Sequence, residues 1–405
     1  MRSKWTTCRI KDVLSFVVDN RGKTPPTQDE GFELLEVNAV SATEKYPQYQ
    51  VVRKRVSEEV YNSWFRSGHP RIGDILVPTV GTLGAVAFVN KNDCCIAQNL
   101  IALRTNPDIC DCNYLYYILC NPFTRKRLLN LNIGGVQPSI KVPHLMGLEI
   151  ELPDIETQKK IGNLLQVLDE KIATNQKINE NLEQQIRSLF RVRFTDNPAL
   201  EKMKQVPLSD LCQIVTKGTT PTTLGKPFVK SGINFIKAES ILDSHAIDKS
   251  KFAFIDEETN TLLKRSVIKA GDIVFTIAGT LGRFALIDKN VLPANTNQAV
   301  AIIRADVEKV LPEYIYACFI GEWHNHYYTK RVQQAVQANL SLTTIKSLPI
   351  PLLDESEMVN FTKLIIPLIK MIKQNEVQNE TLTSMRDTLL PKLMSGELDV
   401  SAVQL

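Results

Sequence analysis

Several short groupings in this chain carry residue types that could do chemistry. Arg21-Gly22-Lys23-Thr24 matches the end of a phosphate-binding loop, but the glycine required five residues before Gly22 is Val17. Pro153-Asp154 followed by Asp169 and Lys171 matches a metal-nuclease pattern, yet these residues fall on a helical pattern where that chemistry needs a sheet. Asn121-Pro122-Phe123 lacks the second proline of an amino-methyltransferase signature, and reads as a turn after or within a helix. His324, His326, Tyr327 and Tyr328 form a further cluster, but with five histidines in the chain and no evident acid partner, histidine catalysis is weakly supported. No convincing active site emerges, and no metal site is expected.

The eight cysteines contain no CxxC pair, and the Cys110, Cys112, Cys120 group suggests no fourth zinc ligand. They read as free thiols of a reducing cytoplasm. The first residues, "MRSKWTTCRIKD", lack the apolar run of a secretory leader, and the most apolar stretch, 361–372, is too short to span a bilayer. A cytoplasmic protein with no membrane partner is expected. The formal charge of +4 is too slight to identify a polyanion partner, so any basic surface must come from the distribution of charge.

The strongest feature is internal repetition. "GDILVPTVGTLGAVAFVNKN" at 73–92 and "GDIVFTIAGTLGRFALIDKN" at 271–290 share ten of twenty residues. "RGKTP" at 21–25 pairs with "KGTTP" at 217–221, "NLIALR" at 99–104 with "AVAIIR" at 299–304, and "YLYYI" at 114–118 with "YIYAC" at 314–318. A period near 200 residues is far too long for a solenoid, so this is a duplicated domain. Within each copy, β-branched runs flank "GTLG", which reads as a hairpin turn, and segments 114–132 and 314–334 have helical length and spacing.

Each copy ends in a long helical pattern. Positions 161, 165, 168, 172, 175, 179, 182, 186 and 189, and the same positions plus 200, follow an alternating four–three spacing. The helix-pairing candidates on this seam are Leu168, Ile172, Asn175, Asn179 and Leu182, with Leu368, Ile372, Asn375, Asn379 and Leu382. A buried Asn is costly unless it meets a polar group, and so fixes register. Antiparallel or parallel pairing would align the asparagines, and a solvated edge is the bland alternative. Pro367 should kink or break the first turns of the second helix, so a clean coiled coil is expected only after it.

What remains looks like recognition. Polar loops at equivalent places and local basic clusters suggest two similar surfaces that contact phosphates. In the first copy the candidates for DNA contact are Lys23, Thr24, Arg53, Lys54, Arg55, Thr82, Gln98, Asn99 and Gln137. In the second they are Lys217, Thr219, Thr220, Thr280, Arg283, Asn297, Gln298, Gln337 and Asn339. The Asn, Gln and Arg side chains have the donors and acceptors to read base edges, though capping of loops explains many of them equally well.

The order of elements, the two "GDI…GTLG" segments, "LEIELPDIETQKKIGNLL" with Pro153 and Gln158, "LPIPLLDESEMVNF" and "LLPKLMSGEL" together resemble the specificity subunits of type I restriction-modification systems. Leu353 and Met358 depart from that pattern. The resemblance implies an α+β chain: two homologous mixed α/β target recognition domains, separated by two long helices that form an antiparallel coiled coil with pseudo-twofold symmetry. The expected boundaries are a first domain at 1–153, a central helical spacer at 154–196, a second domain at 197–353 and a C-terminal spacer at 354–405. It further implies double-stranded DNA as ligand, each domain reading half of a split site, with two methyltransferase subunits and restriction (motor) subunits as partners. S-adenosylmethionine, ATP and magnesium would then act on those partners, this chain holding no cofactor and not being catalytic alone. A rival reading is a duplicated protein-interaction scaffold that binds no DNA.

Overall fold

The computed structural model describes residues 5–42, 44–135, 137–196, 203–325 and 339–400. Gln337, the basic pair Lys330 and Arg331, and His326, Tyr327 and Tyr328 lie outside the described residues. By packing, the chain divides into two compact units, one of Met1–Ala173 with Asn379–Leu405 and one of Thr174–Gln378.

The two units are built alike. The first has a four-stranded antiparallel sheet in the order Leu14–Val18, Leu100–Thr105, Ile75–Pro78, Ala87–Phe88. The second repeats it as Cys212–Lys217, Val300–Ala305, Ile273–Thr276, Phe284–Leu286. Even the irregularity recurs: pairing of the first strand shifts between Leu14 and Phe16, and between Cys212 and Ile214. A three-stranded sheet follows in each unit: Arg55–Val56, Phe32–Leu35, Cys94–Ile96 in one, and Ala253–Ile255, Ile233–Ile236, Ala294–Thr296 in the other. In both, the third strand joins parallel to the central one.

The "GTLG" segments form the expected hairpins. Gly81, Gly84, Gly279 and Gly282 all have φ between 76° and 90°, a region that L side chains avoid. That is why these glycines had to recur. The expected helix after the sheet is interrupted in the first unit, where Cys112–Cys120 ends and Pro122–Asn130 begins. Pro122 supplies the first turn, and the Asn121 side chain accepts the amide of Phe123, so Asn121 caps a new helix.

The first long helix is Ile155–Phe190 and the second is Glu355–Met394. The second runs unbroken through Pro367, which corrects the expectation that it would start cleanly only beyond that residue. Pro367 and Lys363, whose carbonyl loses its donor, are exposed, so water can replace the missing bond. The flanking turns are fixed by burial of Phe361, Ile365, Ile369 and Ile372 in the second unit's core. Ile161, Leu165, Leu390 and Leu393 enter the core of the first unit.

Within each unit the helix segments pair antiparallel. In the second, Asn375 donates to Asn179 at 2.8 Å, Asn175 to Gln378 at 2.7 Å, and Asn179 to the Ile372 carbonyl at 3.3 Å. In the first, Arg386 reaches Asp169 at 2.8 Å. Asn175, Asn179 and Asn375 therefore meet polar partners across the seam, Leu182 and Ile372 are buried, and Leu168, Ile172, Leu368 and Leu382 are half-buried. Among the described residues, no helix is long and apolar enough to cross a membrane.

Candidate nucleic-acid interface

The repeated hairpin sits between two polar loops, and the same hydrogen bonds hold it in both units. The Thr79 amide donates to the Asn99 carbonyl at 2.9 Å and accepts, through its own carbonyl, the Ile140 amide at 2.8 Å. In the second unit Ile277 takes that place, donating to the Ala299 carbonyl at 2.8 Å and accepting from Leu340 at 2.9 Å. In the first unit Gly81 also donates to the Pro138 carbonyl at 2.9 Å. The backbone thus brings Thr82, Asn99 and Gln137 to one end of the first sheet, with Gln98 beside them. Thr82 and Gln137 are exposed, Gln98 and Asn99 half-buried. Arg125 joins this group, its side chain lying 3.0 Å from the position a Cβ on Gly84 would take.

In the second unit, exposed Thr280 and Asn339 occupy the matching hairpin and loop. Gly218 lies so close to the carbonyls of Thr296 and Asn297 that any side chain there would collide with backbone. This close approach places Lys217, Thr219 and Thr220 beside the turn at 297–299. Thr220 hydrogen-bonds Gln298, and Arg265 reaches the Thr219 hydroxyl at 3.4 Å. Asn297 accepts the Ala299 amide at 3.1 Å, which spends part of its side chain on holding the turn. Arg283 grips Asp243 with two bonds of 2.7 and 2.5 Å and also reaches the Ile241 carbonyl, tying the hairpin to the neighbouring loop.

A second basic group in the first unit stands on the three-stranded sheet. Arg55 exchanges backbone bonds with Gln28 and reaches the Asp29 carbonyl at 3.3 Å, while Lys54 pairs with Glu36 at 2.8 Å. Lys23, Thr24 and Arg53 are exposed nearby in sequence. The nuclease-like pattern dissolves: Asp154 caps the first long helix through Thr157, while Asp169 lies fifteen residues further on, about 22 Å along a helix at ~1.5 Å per residue. Among the described residues no group of three or more His, Cys, Asp or Glu converges as metal ligands. Burial pushes the Cys94 and Cys95 thiols up to about 12, away from reactive thiolates.

Several residues that shape the interface were not singled out from the sequence. Asp74 takes two bonds from Arg104, at 2.9 and 2.7 Å, and accepts the Arg71 amide. Asp272 does the same with Arg304, at 2.7 and 2.6 Å, and with the Lys269 amide. Both arginines also reach a carbonyl, that of His69 or Val267. The signal was present, since "GDI" and the final arginines of "NLIALR" and "AVAIIR" both recur, but nothing in the spacing said that they meet. Gln158 is likewise structural: buried, it donates to the Pro153 and Ile109 carbonyls and accepts the Asp111 amide.

This duplicated sheet-and-helix-pair architecture defines a class of two-domain recognition proteins. Residues 2–184 and 200–379 each match the model of the type I restriction modification DNA specificity domain, and the chain belongs to that family. It is 24% identical to the type I restriction enzyme HindI specificity subunit of Haemophilus influenzae, over 80% of this chain and 86% of that one. It is also 24% identical to the MjaIX specificity subunit of Methanocaldococcus jannaschii, over 98% of this chain and 94% of that one. Its fold is shared with the crystal structure of a type I restriction-modification S subunit from M. genitalium, with a TM-score of 0.56, 18% identity and 96% of each chain covered.

Proposed function

We propose that the chain is the DNA-reading specificity subunit of a type I restriction-modification complex in the cytoplasm, with recognition domains at 1–153 and 197–353 and helical spacers at 154–196 and 354–405. Each domain reads one half of a split site in double-stranded DNA. One observation carries this reading: two hydrogen-bonded frames of the same pattern present loops in which equivalent positions differ, Lys23 against Thr219, Ala85 against Arg283, Asn99 against Ala299 and Ser139 against Asn339. A protein made to read two different half-sites needs that division between fixed frame and variable loops. Lys23, Thr24, Arg53, Lys54, Arg55 and Lys217 are assigned to phosphates, and the Asn and Gln side chains to base edges.

The helices set the distance and dock the partners. The seam from 161 to 189 spans 28 steps, roughly 42 Å at ~1.5 Å per residue. That corresponds to about a dozen base pairs at ~3.4 Å each. Leu364 and Met371, one heptad apart, are exposed on the second long helix, as is Val167 on the first. Such residues suit partner helices, in keeping with two methyltransferase subunits, on which adenine methylation would occur, and with restriction subunits joining them. Methylation mapping of the assembled complex tests the reading. Exchanging residues 1–153 for the corresponding domain of a relative should change one half-site only, whereas a change in both would overturn modular reading.

A further inference from the structure

Lys45 is the most unusual side chain in the first unit. It is 8% exposed, although a buried ammonium is costly unless paired. Its Nζ lies 5.1 to 5.8 Å from the ring centres of Phe88, Tyr117, Tyr116 and Tyr46, an aromatic cage of the kind that stabilises a desolvated cation. It donates to Asn113 at 3.3 Å and, in a long contact of 3.5 Å, towards the Tyr117 hydroxyl. That hydroxyl in turn donates to Asp169 on the first long helix at 2.6 Å, and Asp169 takes Arg386 of the second at 2.8 Å. Glu44 alongside is pushed up by burial while Arg386 draws it down. The chain just beyond Lys45 leads through buried Val52 into Arg53, Lys54 and Arg55.

At +200, the second unit places His245 in the corresponding loop, with φ at 60°. Its ring stacks on Phe284 at 4.0 Å, and its Nδ1 is buried without a partner. The helix-pair positions matching Asp169 and Arg386 are Ile369 and Ile186, both buried. The frame is duplicated but this relay is not, so the duplicated scaffold does not require it.

We propose that Lys45 is a positioning residue for DNA reading by the first domain, latching the segment that leads into Arg53–Arg55 onto the Asp169–Arg386 pair of the helices through Tyr117. This rests on the DNA-reading function proposed above. The latch acts through the loop and touches no base.

The test uses the full chain assembled with its methyltransferase subunits, offered a pool of randomised duplex DNA and read by sequencing of modified sites. Lys45→Met keeps the stem in the cage and removes the charge. It should relax preference at the first domain's half-site by roughly ten-fold, the worth of one hydrogen bond to a charged group, and leave the other half-site and the gap unchanged. Tyr117→Phe should act in the same direction, Lys45→Arg should restore preference, and His245→Phe should leave the first half-site untouched. Unchanged preference in Lys45→Met, or equal loss at both half-sites, overturns the proposal. Hydrogen exchange over residues 44–56 decides the latch separately: faster exchange in Lys45→Met is expected, and unchanged exchange overturns it. Should the wild-type complex select no sequence, the DNA reading itself falls, and the exchange result alone judges the latch.

Discussion

At residue 74 of the first unit and 272 of the second, an aspartate receives two bonds from a strand arginine and caps the turn before its own strand. At residues 45 and 245, by contrast, one unit buries a caged ammonium and the other a stacked imidazole. The first pair of positions preserves chemistry because each buried carboxylate needs its arginine: Asp74 and Asp272 are 1% exposed, and either one without that partner would be stranded. The second pair has drifted because the sheet does not depend on it, so each copy holds the loop with chemistry of its own. Duplication thus separates what the frame demands from what each copy is free to vary.

The largest expected effect tests the shared part. Asp74→Ala and Asp272→Ala each strand a partly buried arginine and uncap a turn, and should destabilise their own unit by about 3 kcal/mol. Denaturant titration followed by hydrogen exchange in each unit measures this. Similar losses are expected in both, and a neutral substitution in one would break the equivalence of the frames.

A smaller effect concerns the helix seam. Replacing Asn175, Asn179, Asn375 and Asn379 together by Leu should leave the chain folded and raise stability by roughly 1–2 kcal/mol, because apolar packing replaces polar groups at one buried and three half-buried seam positions. Register should loosen, seen as additional crosslinks between cysteine pairs placed along the two helices. A single unchanged crosslinking pattern would show that the asparagines do not set register.

Much of the frame was legible because it depends on local rules. Glycines with positive φ must recur wherever the hairpin recurs, and a four–three spacing must face a partner helix. Pro367 misled because its penalty was reckoned for an isolated helix, whereas Phe361, Ile365 and Ile372 anchor the turns around it in a core. The break at Asn121 was half visible, as a turn after or within a helix, but the cap that starts a new helix depends on one side-chain bond. Lys45 carried no signal, since its cage is assembled from residues 46, 88, 116 and 117 and its relay from 169 and 386. The polar loop residues were legible as candidates by type, and the local cap that Asn297 makes on Ala299 was among the alternatives, while Arg283 is restrained by Asp243, a contact that spacing does not encode.

The smallest effect is a difference in pH response between the units. In the second, burial and the facing Glu376 hold Glu183 up at about 7, against an ordinary value of 4.5. Between those values the folded state binds the proton more tightly than the unfolded chain, so this group's contribution to stability is lost as pH rises through 7. Burial depresses His245 to about 4 and His324 to about 3, from 6.5. Their contribution runs the other way, present above 6.5 and lost as pH falls towards those values. From pH 6.5 to 7.5 the loss from Glu183 and the summed gain from the two histidines, about 0.7 kcal/mol each way, nearly cancel, so the second unit's stability should change little over that interval. Glu183→Gln should remove the opposing loss, so that stability rises by roughly 0.7 kcal/mol from pH 6.5 to 7.5 while the acid-side loss from the two histidines remains, as measured by denaturant midpoints at half-unit pH steps. A profile that stays flat over that interval in Glu183→Gln would place the balancing titration elsewhere in the unit.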